Sequence, residues 1–560
     1  MEAAGRTLLE YRPPPELSGG GQGGGQGRRP VVVVGGGPVG LAAAIDLGLH
    51  GVPVLLIDED DTVSTGSRAI CWSKRTLEIF GRLGVAGRMV AKGITWNLGK
   101  VFHRDDLVYS FNLLPEAGHA MPAFINLQQY YVEEYLIDRA AAGLPGVELR
   151  WKNRLVGLER RGDAVLLEVE TPDGRYRIEA DWVLAADGAR SPTRKLLGLA
   201  FEGKVFEDRF LIADVRMKAG FPTERWFWFD PPFHPGGSAL LHRQADDVWR
   251  IDLQLGWQAD PEEERRPERV LPRLKAMLGE DAEFELEWVS VYTFQCRRLA
   301  RFRHGRVLFV GDSAHQVSPF GARGGNSGIQ DADNLAWKLA AVIRGEAPDA
   351  LLDTYDEERV HGCDENIMNS TRSTDFITPK GPGSKALRDA VLSLAGSRDF
   401  ARRLVNSGRL SVPCSLAGLS LQTPDADEWD GGAAPGTPCP DAPVAAPDGT
   451  AAWLLDALGG TFRLMVFAET ARDLPEGLPA GITLLAVVPD TSAAAGMPAG
   501  VPVLVDRDGL ARVRYAGRPG SAHLIRPDQH VAARWARFDA SRLRAALARA
   551  TGTVAEGAVA

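Results

Sequence analysis

Apolar residues arrive along this chain in blocks whose period changes. The first block is unbroken, Val31–Val34, and closes on "GGGPVG". A short continuous apolar run bounded by glycines predicts a buried strand, followed by a tight turn and a helix from about Pro38. "GVPVLLID" predicts the next strand, ending at Asp58. From Arg154 to Gly188, "RLVGLERRGDAVLLEVETPDGRYRIEADWVLAADG" alternates apolar and polar positions. It predicts antiparallel strands turning at Asp173-Gly174 and ending in a buried strand, Trp182 to Ala185. Between about Ala200 and Trp257 the alternation becomes aromatic, in "ERWFWF", "GGSALLHRQ" and "DVWRIDLQL", which predict neighbouring strands of one sheet. "RVLFV", Arg306 to Val310, is another buried strand. Ile329, Leu335, Leu339 and Val342 then fall near helical spacing, so a long helix is expected over roughly Asn326–Arg344.

A Pro/Gly/Ala-rich stretch near Asp425–Thr450 marks a boundary. Beyond it, "TFRLMVF", "GITLLAVVPD" and "VPVLVDRDGLARVRY" predict strands of a smaller α/β domain. The start of the chain carries "SGGGQGGGQG", which predicts a flexible leader over residues 1–28. The expected organisation is therefore a leader (1–28), a nucleotide-binding part (29–199), an inserted sheet (200–295), a second nucleotide-binding part with helices (296–424) and a C-terminal domain (425–560). No internal repeat is visible.

Composition narrows the function. The 560 residues exceed what one core supports. The net charge of −9 is spread without a basic block, so no nucleic-acid partner is expected. No apolar run reaches the length needed to cross a bilayer, and no membrane partner is expected. Arg28-Arg29 is not read as an export signal, because the glycine turn and Asp46 interrupt the run behind it. The five cysteines are widely spaced without CxxC, which fits a reducing cytoplasm and gives neither a redox disulfide nor a zinc ribbon. The ten histidines show no ligand spacing, so no metal is expected.

Two motifs carry chemistry. Gly35, Gly37 and Gly40 form GxGxxG. The first glycine permits the turn, the second lets backbone amides approach a pyrophosphate, and the third lets helix and sheet pack closely. The helix beginning at Pro38 points its positive end at the phosphates. Asp58, 23 residues after Gly35, can accept ribose hydroxyls and disfavours a 2′-phosphate. FAD and NAD both remain at this point. The second motif, "GDSAHQVSPFGARGGNSG" from Gly311 to Gly328, follows a buried strand. Asp312 could bind a ribityl chain, glycines 321, 324, 325 and 328 let backbone pass a flat ring, and the helix after them points its N-terminus at it. That element selects FAD.

Gly311-Asp312, taken with "ADGARSPTR" (Ala186–Arg194), resembles the paired signatures of the FAD-dependent aromatic hydroxylases, the single-component monooxygenases related to p-hydroxybenzoate hydroxylase and phenol hydroxylase. "GSRA" with Arg68, "QYYVEEYL" with Gln129, Glu133 and Leu136, "DADNLAWKLA" and "YDEER" match further segments in order. The resemblance covers about Val31–Arg359. It implies a Rossmann-like FAD domain with an inserted antiparallel sheet. It also implies NAD(P)H as a transient co-substrate, O2, and hydroxylation of a phenolic or similar ring through a flavin C4a-hydroperoxide. By the same likeness Arg68, Gln129, Asp187, Gly188, Arg250, Gly311, Asp312, Gly324, Gly325 and Asn326 serve the cofactor, and the Pro319 carbonyl lies beside the substrate hydroxyl. His242 and Asp252 fall where relatives place substrate-facing polar groups. Gln254 shares the strand face of Asp252, and Trp228 in "WFWFDP" is expected to line an apolar pocket. Ser318 departs from a proline common in the family. Gln244 stands where benzoate-type relatives hold an arginine, which argues against 4-hydroxybenzoate. The part after Asp425, especially "AHLIRPDQHVAARW", resembles the thioredoxin-like tail of the phenol hydroxylase branch, with packing or a homodimer contact as its role. A reductase or halogenase on the same scaffold, or a non-enzymatic ligand-binding flavoprotein, are the alternatives.

Overall fold

The computed structural model describes residues 8–18, 28–66, 68–405, 410 and 412–553. Its first sheet is built around Arg29–Val34, which pairs in parallel with Val54–Ile57 on one side and Gly174–Ala185 on the other. Val147–Arg150 and Val307–Phe309 extend the parallel run at either flank. The four valines are buried because both faces of a central parallel strand are covered. The helices Pro38–Leu49 and Gly324–Ile343 lie against one another, so close that a Cβ on Gly328 would come within 2.7 Å of Val39. Ala164–Thr171 and Arg154–Arg161 form the expected antiparallel meander on Gly174–Ala185.

The second sheet runs Glu285–Arg298, Glu202–Arg216, Val248–Gln254, Ser238–Arg243 and Arg225–Phe229. It is wider than expected. Leu98–His103 and Asp106–Asn112, inside the segment assigned to the first nucleotide-binding part, complete one edge. His315–Gln316, beyond residue 295, completes the other. Strand pairing, not chain order, decides sheet membership. One face packs Leu211, Val215, Trp249 and Ile251 against Val270 and Leu274 of the helix Pro267–Leu278. The other face turns toward the first sheet.

The leader expectation also needs correction. Leu8 bridges to Thr62, Tyr11 donates to Asp173 at 2.9 Å, and Pro15–Ser18 is a helical turn. Leu9 and Leu17 pack on the core, and Arg150 donates to Glu16 at 2.8 Å. These apolar and charged anchors outweigh the low-complexity signal, whose glycine-rich residues 19–27 lie outside the described residues.

The C-terminal domain centres on Phe462–Phe467. Ile482–Val488 lies parallel to it, Ala522–Ile525 antiparallel on its other side, and Val531–Trp535 beyond. With the helix Ala540–Ala550 this is the strand order of a thioredoxin-like core. All five cysteines are free. Among the described residues no helix is long and apolar enough to cross a membrane, and no cluster of three metal-ligating side chains occurs.

His523 sits in this domain between the rings of Trp429, Phe467 and Tyr515, and neither ring nitrogen makes a well-formed hydrogen bond. Burial, with Arg534 nearby, pushes its pKa down to about 3. As pH falls below the unfolded value, near 6.5, the unfolded chain takes up the proton first, so stability declines until the folded value is reached. His523→Phe is expected to remove about 2 kcal/mol of the stability lost between pH 7 and pH 5. Urea midpoints of the two proteins at the two pH values measure this. Parallel losses in both would refute it.

Candidate cofactor and substrate site

Both sheets and the two facing helices enclose one cavity of about 780 Å³. Asp58, Asp187 and Asp312, far apart in sequence, all line it. So do Gly35, Gly37, Pro38, Arg68, Gln129, Gly188, Arg250, Gly324, Gly325 and Asn326. It lies beyond the carboxyl ends of the parallel strands, where open α/β sheets take ligands.

At the glycine turn, Gly35 has φ +113° and donates to Ile57 O at 2.9 Å. A Cβ on Gly40 would lie 1.9 Å from Gly35 O, so Gly40 sets the packing of turn and helix rather than facing the ligand. A Cβ on Gly37 would meet no protein atom within 4 Å. Gly37 caps the helix without a side-chain partner and Pro38 occupies its first turn, leaving the end open to an anion. Asp58 accepts from the Gly36 and Asp60 amides, and burial pushes its pKa up to about 6. Leu9 and Trp151 add apolar wall at this end.

Asp187 accepts from Thr193 N at 2.8 Å, while its Oδ1 is buried with no partner among the described residues. Burial raises its pKa. Arg194 ties the two signature loops together, donating to Ala189 O at 2.8 Å and Ser313 O at 3.0 Å. Gly311 turns with φ +62° and donates to Asp331 at 3.0 Å. Asp331 also bonds His315 at 2.6 Å and Arg359 at 2.7 Å. Burial pushes the Asp331 carboxyl up, but His315 and Arg359 more than offset it and hold it below the usual range. His315 is thus structural, and the buried triad fixes the turn that carries Asp312.

The Asn326 side chain is consumed within the protein. It accepts from Ser73 N at 2.9 Å and donates to Cys71 O at 2.8 Å, docking the N-terminus of Gly324–Ile343 onto the strand Cys71–Ser73. The backbone of Gly324 and Gly325 is left facing the cavity. Gln129 accepts from Ala69 N at 3.1 Å, and Glu133 accepts from Ser64 N at 2.6 Å, so the helix Gln129–Ala141 holds the loop bearing Arg68.

The second sheet closes the far end. His242 and Asp252 line the cavity, with Arg250 donating to Asp252 at 2.9 Å. Burial, with Arg225 and Arg250 nearby, holds the His242 pKa well below its ordinary value. Pro319 lines the cavity, and Ser318 beside it accepts from Thr374 at 2.8 Å, a bond a proline could not make. Phe294, Phe320 and Tyr292 supply aromatic wall.

Two expectations fail. Trp228 is on the opposite face, stacked on Phe102 with ring centroids 5.1 Å apart. Alternation puts Arg225 and Phe227 on the cavity side of that strand instead. Gln254 shares the face of Asp252 but lies past the cavity, accepting from Ser238 N at 3.1 Å. Gln244 is likewise outside, donating to Asp214 at 3.1 Å. Arg225 escaped sequence reading although a signal existed: a lone arginine opening an aromatic strand.

The orphaned Asp187 oxygen, the open Gly37 corner and the capless helix end fit a dinucleotide with an anionic flat ring. The fold and cavity define a flavin-binding oxidoreductase. Comparison with known proteins agrees. The FAD binding domain family matches residues 28–370, and the HcaD C-terminal domain matches residues 436–550. The chain belongs to that FAD-binding family and is an enzyme of its flavin-dependent monooxygenase class. It is 33% identical over 541 residues to a 6-methylpretetramide 4-monooxygenase of Streptomyces rimosus, covering 91% of each chain. The solved structure of the flavin-dependent monooxygenase PieE, with FAD and substrate, shares the fold at TM-score 0.77 and 23% identity, over 94% of this chain and 99% of that one. The p-nitrophenol 4-monooxygenase PnpA of Pseudomonas putida matches at TM-score 0.61 and 28% identity, over 69% of this chain and 98% of that one.

Proposed function

We propose that this enzyme hydroxylates a phenolic or related electron-rich aromatic ring, consuming NAD(P)H and O2 and releasing NAD(P)+ and water. The observation that carries this reading is the convergence of three distant aspartates and a helix N-terminus on one cavity that continues into an aromatic-walled chamber with polar groups at its end. When bound, FAD supplies the redox chemistry between the reduced nicotinamide and O2. Asp58 and the amides near Gly37 would hold its adenosine diphosphate portion, Asp312 its ribityl chain, and the Gly325 and Asn326 amides the electron-rich edge of its ring. Phe294 and Phe320 keep water from the reacting edge. The Pro319 carbonyl accepts the substrate hydroxyl. His242, kept neutral by burial and two arginines, is a hydrogen-bonding partner for a substrate oxygen rather than its base.

Residues outside the cavity fit the same reading. The free thiols suit a reducing compartment such as the cytoplasm. The C-terminal domain, without CxxC, serves packing or a homodimer contact.

The purified protein is expected to be yellow. A panel of phenols should contain compounds that speed NAD(P)H oxidation and O2 uptake and yield a product heavier by one oxygen atom. Protein that stays colourless after incubation with FAD, or oxidation insensitive to every aromatic compound, would overturn the proposal.

A further inference from the structure

Three adjacent strands of the second sheet send Arg225, His242, Arg250 and Asp252 to the cavity face. Their charges are not equally matched. Arg250 is bonded to Asp252 at 2.9 Å and lies opposite Asp214 on the next strand. Its Nη1 also donates to Arg68 O at 3.3 Å. The Arg225 side chain has no hydrogen bond or ion pair among the described residues, and its Nη1 is buried. The Trp96 ring lies 6.0 Å from its guanidinium carbon, and the Asp252 carboxylate attracts it through space without bonding to it. Trp96 is itself fixed by its indole N–H to Asn126 at 2.8 Å. The His242 Nδ1 beside it is also without a partner.

A guanidinium enclosed in a cavity with no anion bonded to it is costly, and a folded protein keeps one where a ligand completes it. Arginine presents a planar fork that matches a carboxylate or a delocalised oxyanion. We infer that Arg225 is the specificity residue of the substrate chamber, and that the substrate carries an ionised oxygen, either a carboxylate or an acidic phenol or enol, which pairs with it. This rests on the hydroxylase reading for the identity of the chamber. His242 then offers its free nitrogen to a second oxygen of the same ligand, and Asp252, already held by Arg250, does not compete for the anion.

The test uses FAD-loaded enzyme and reads binding from the flavin absorbance change, with no turnover. A failed hydroxylase reading therefore leaves it interpretable. Two probe pairs separate the sources of charge: 4-hydroxybenzoate against 4-hydroxybenzamide for a carboxylate, and 4-nitrophenol against phenol for an ionised hydroxyl. In at least one pair the ionised member should bind about tenfold or more tightly than its neutral partner. That preference should disappear in Arg225→Met and return in part in Arg225→Lys. Because the Arg225 side chain makes no hydrogen bond or ion pair with the protein, Arg225→Met should melt at or above the wild-type temperature. The inference is overturned if no ionised probe binds at millimolar concentration or if the pairs bind alike. It is also overturned if the preference survives Arg225→Met, or if that variant melts lower, which would make Arg225 structural.

Discussion

Gly40→Ala is expected to purify without FAD. The added methyl would stand 1.9 Å from the Gly35 carbonyl oxygen and 3.1 Å from the Ala186 side chain. The turn cannot yield on its other side. Gly35 is at φ +113°, and its own α-carbon abuts Ala186 O so tightly that a Cβ there would come within 2.4 Å. The helix Pro38–Leu49 must therefore lift from the sheet, taking with it the amides that face the phosphates. Overpacking alone costs about 1–3 kcal/mol. With the displaced amides, FAD affinity should fall about 100-fold or more. The flavin-to-protein absorbance ratio after dialysis reads this directly. Gly37→Ala is the informative companion, since its methyl meets no protein atom within 4 Å. It should fold normally, and any loss of affinity it shows reports contact with the cofactor. Unchanged FAD retention in Gly40→Ala would sink the account of the turn.

Glu358→Ala should destabilise the protein by about 3–5 kcal/mol. Glu358 is fully buried where the C-terminal domain meets the FAD domain. It accepts from Lys338 at 2.7 Å, Arg526 at 2.6 and 2.9 Å, Asn334 at 2.8 Å and Gln422 at 2.8 Å. Removing it leaves the two cations with only the Asp528 carboxylate, which bonds Arg526. Lys338 and Asn334 belong to Gly324–Ile343, the helix whose N-terminus lines the cavity. Loss of the domain contact should thus also hasten FAD release on heating. Calorimetry with simultaneous flavin fluorescence tests both effects. A melting temperature within a degree of wild type would show that the network contributes little. Burial pushes the Glu358 carboxyl up, yet Arg526 and Lys338 hold it well below the usual range. Its contribution is present above the ordinary carboxylate pKa and is lost only as pH falls through the depressed value. The His523 effect therefore begins at a higher pH and can be separated from it.

Much of the cofactor end was legible in the residues. "VVVVGGGPVG" with Asp58 encodes strand, turn, helix and acid within one short span, and each step is fixed by local sterics. Asp187 and Asp312 each follow a buried strand, so their positions at strand ends could be read from burial alone. The substrate end was less legible. His242, Arg250 and Asp252 were placed on the right face, whereas Trp228 was not, because a strand one residue out of phase exchanges its faces. The anchoring of residues 8–18 was masked by the glycine-rich segment after them, although Leu9, Glu16 and Leu17 carried the signal.

The sequence by itself determined the two phosphate- and ring-facing turns, the helices behind them and the absence of CxxC, since these depend on neighbours within a few residues. The tertiary structure alone decided that three aspartates share one cavity, that Arg225 rather than Trp228 faces it, and that Glu358 meets Arg526 across 168 positions. Register, sheet face and charge pairing are set by contacts between remote segments, and hydrophobic periodicity records which positions are buried but not what they are buried against.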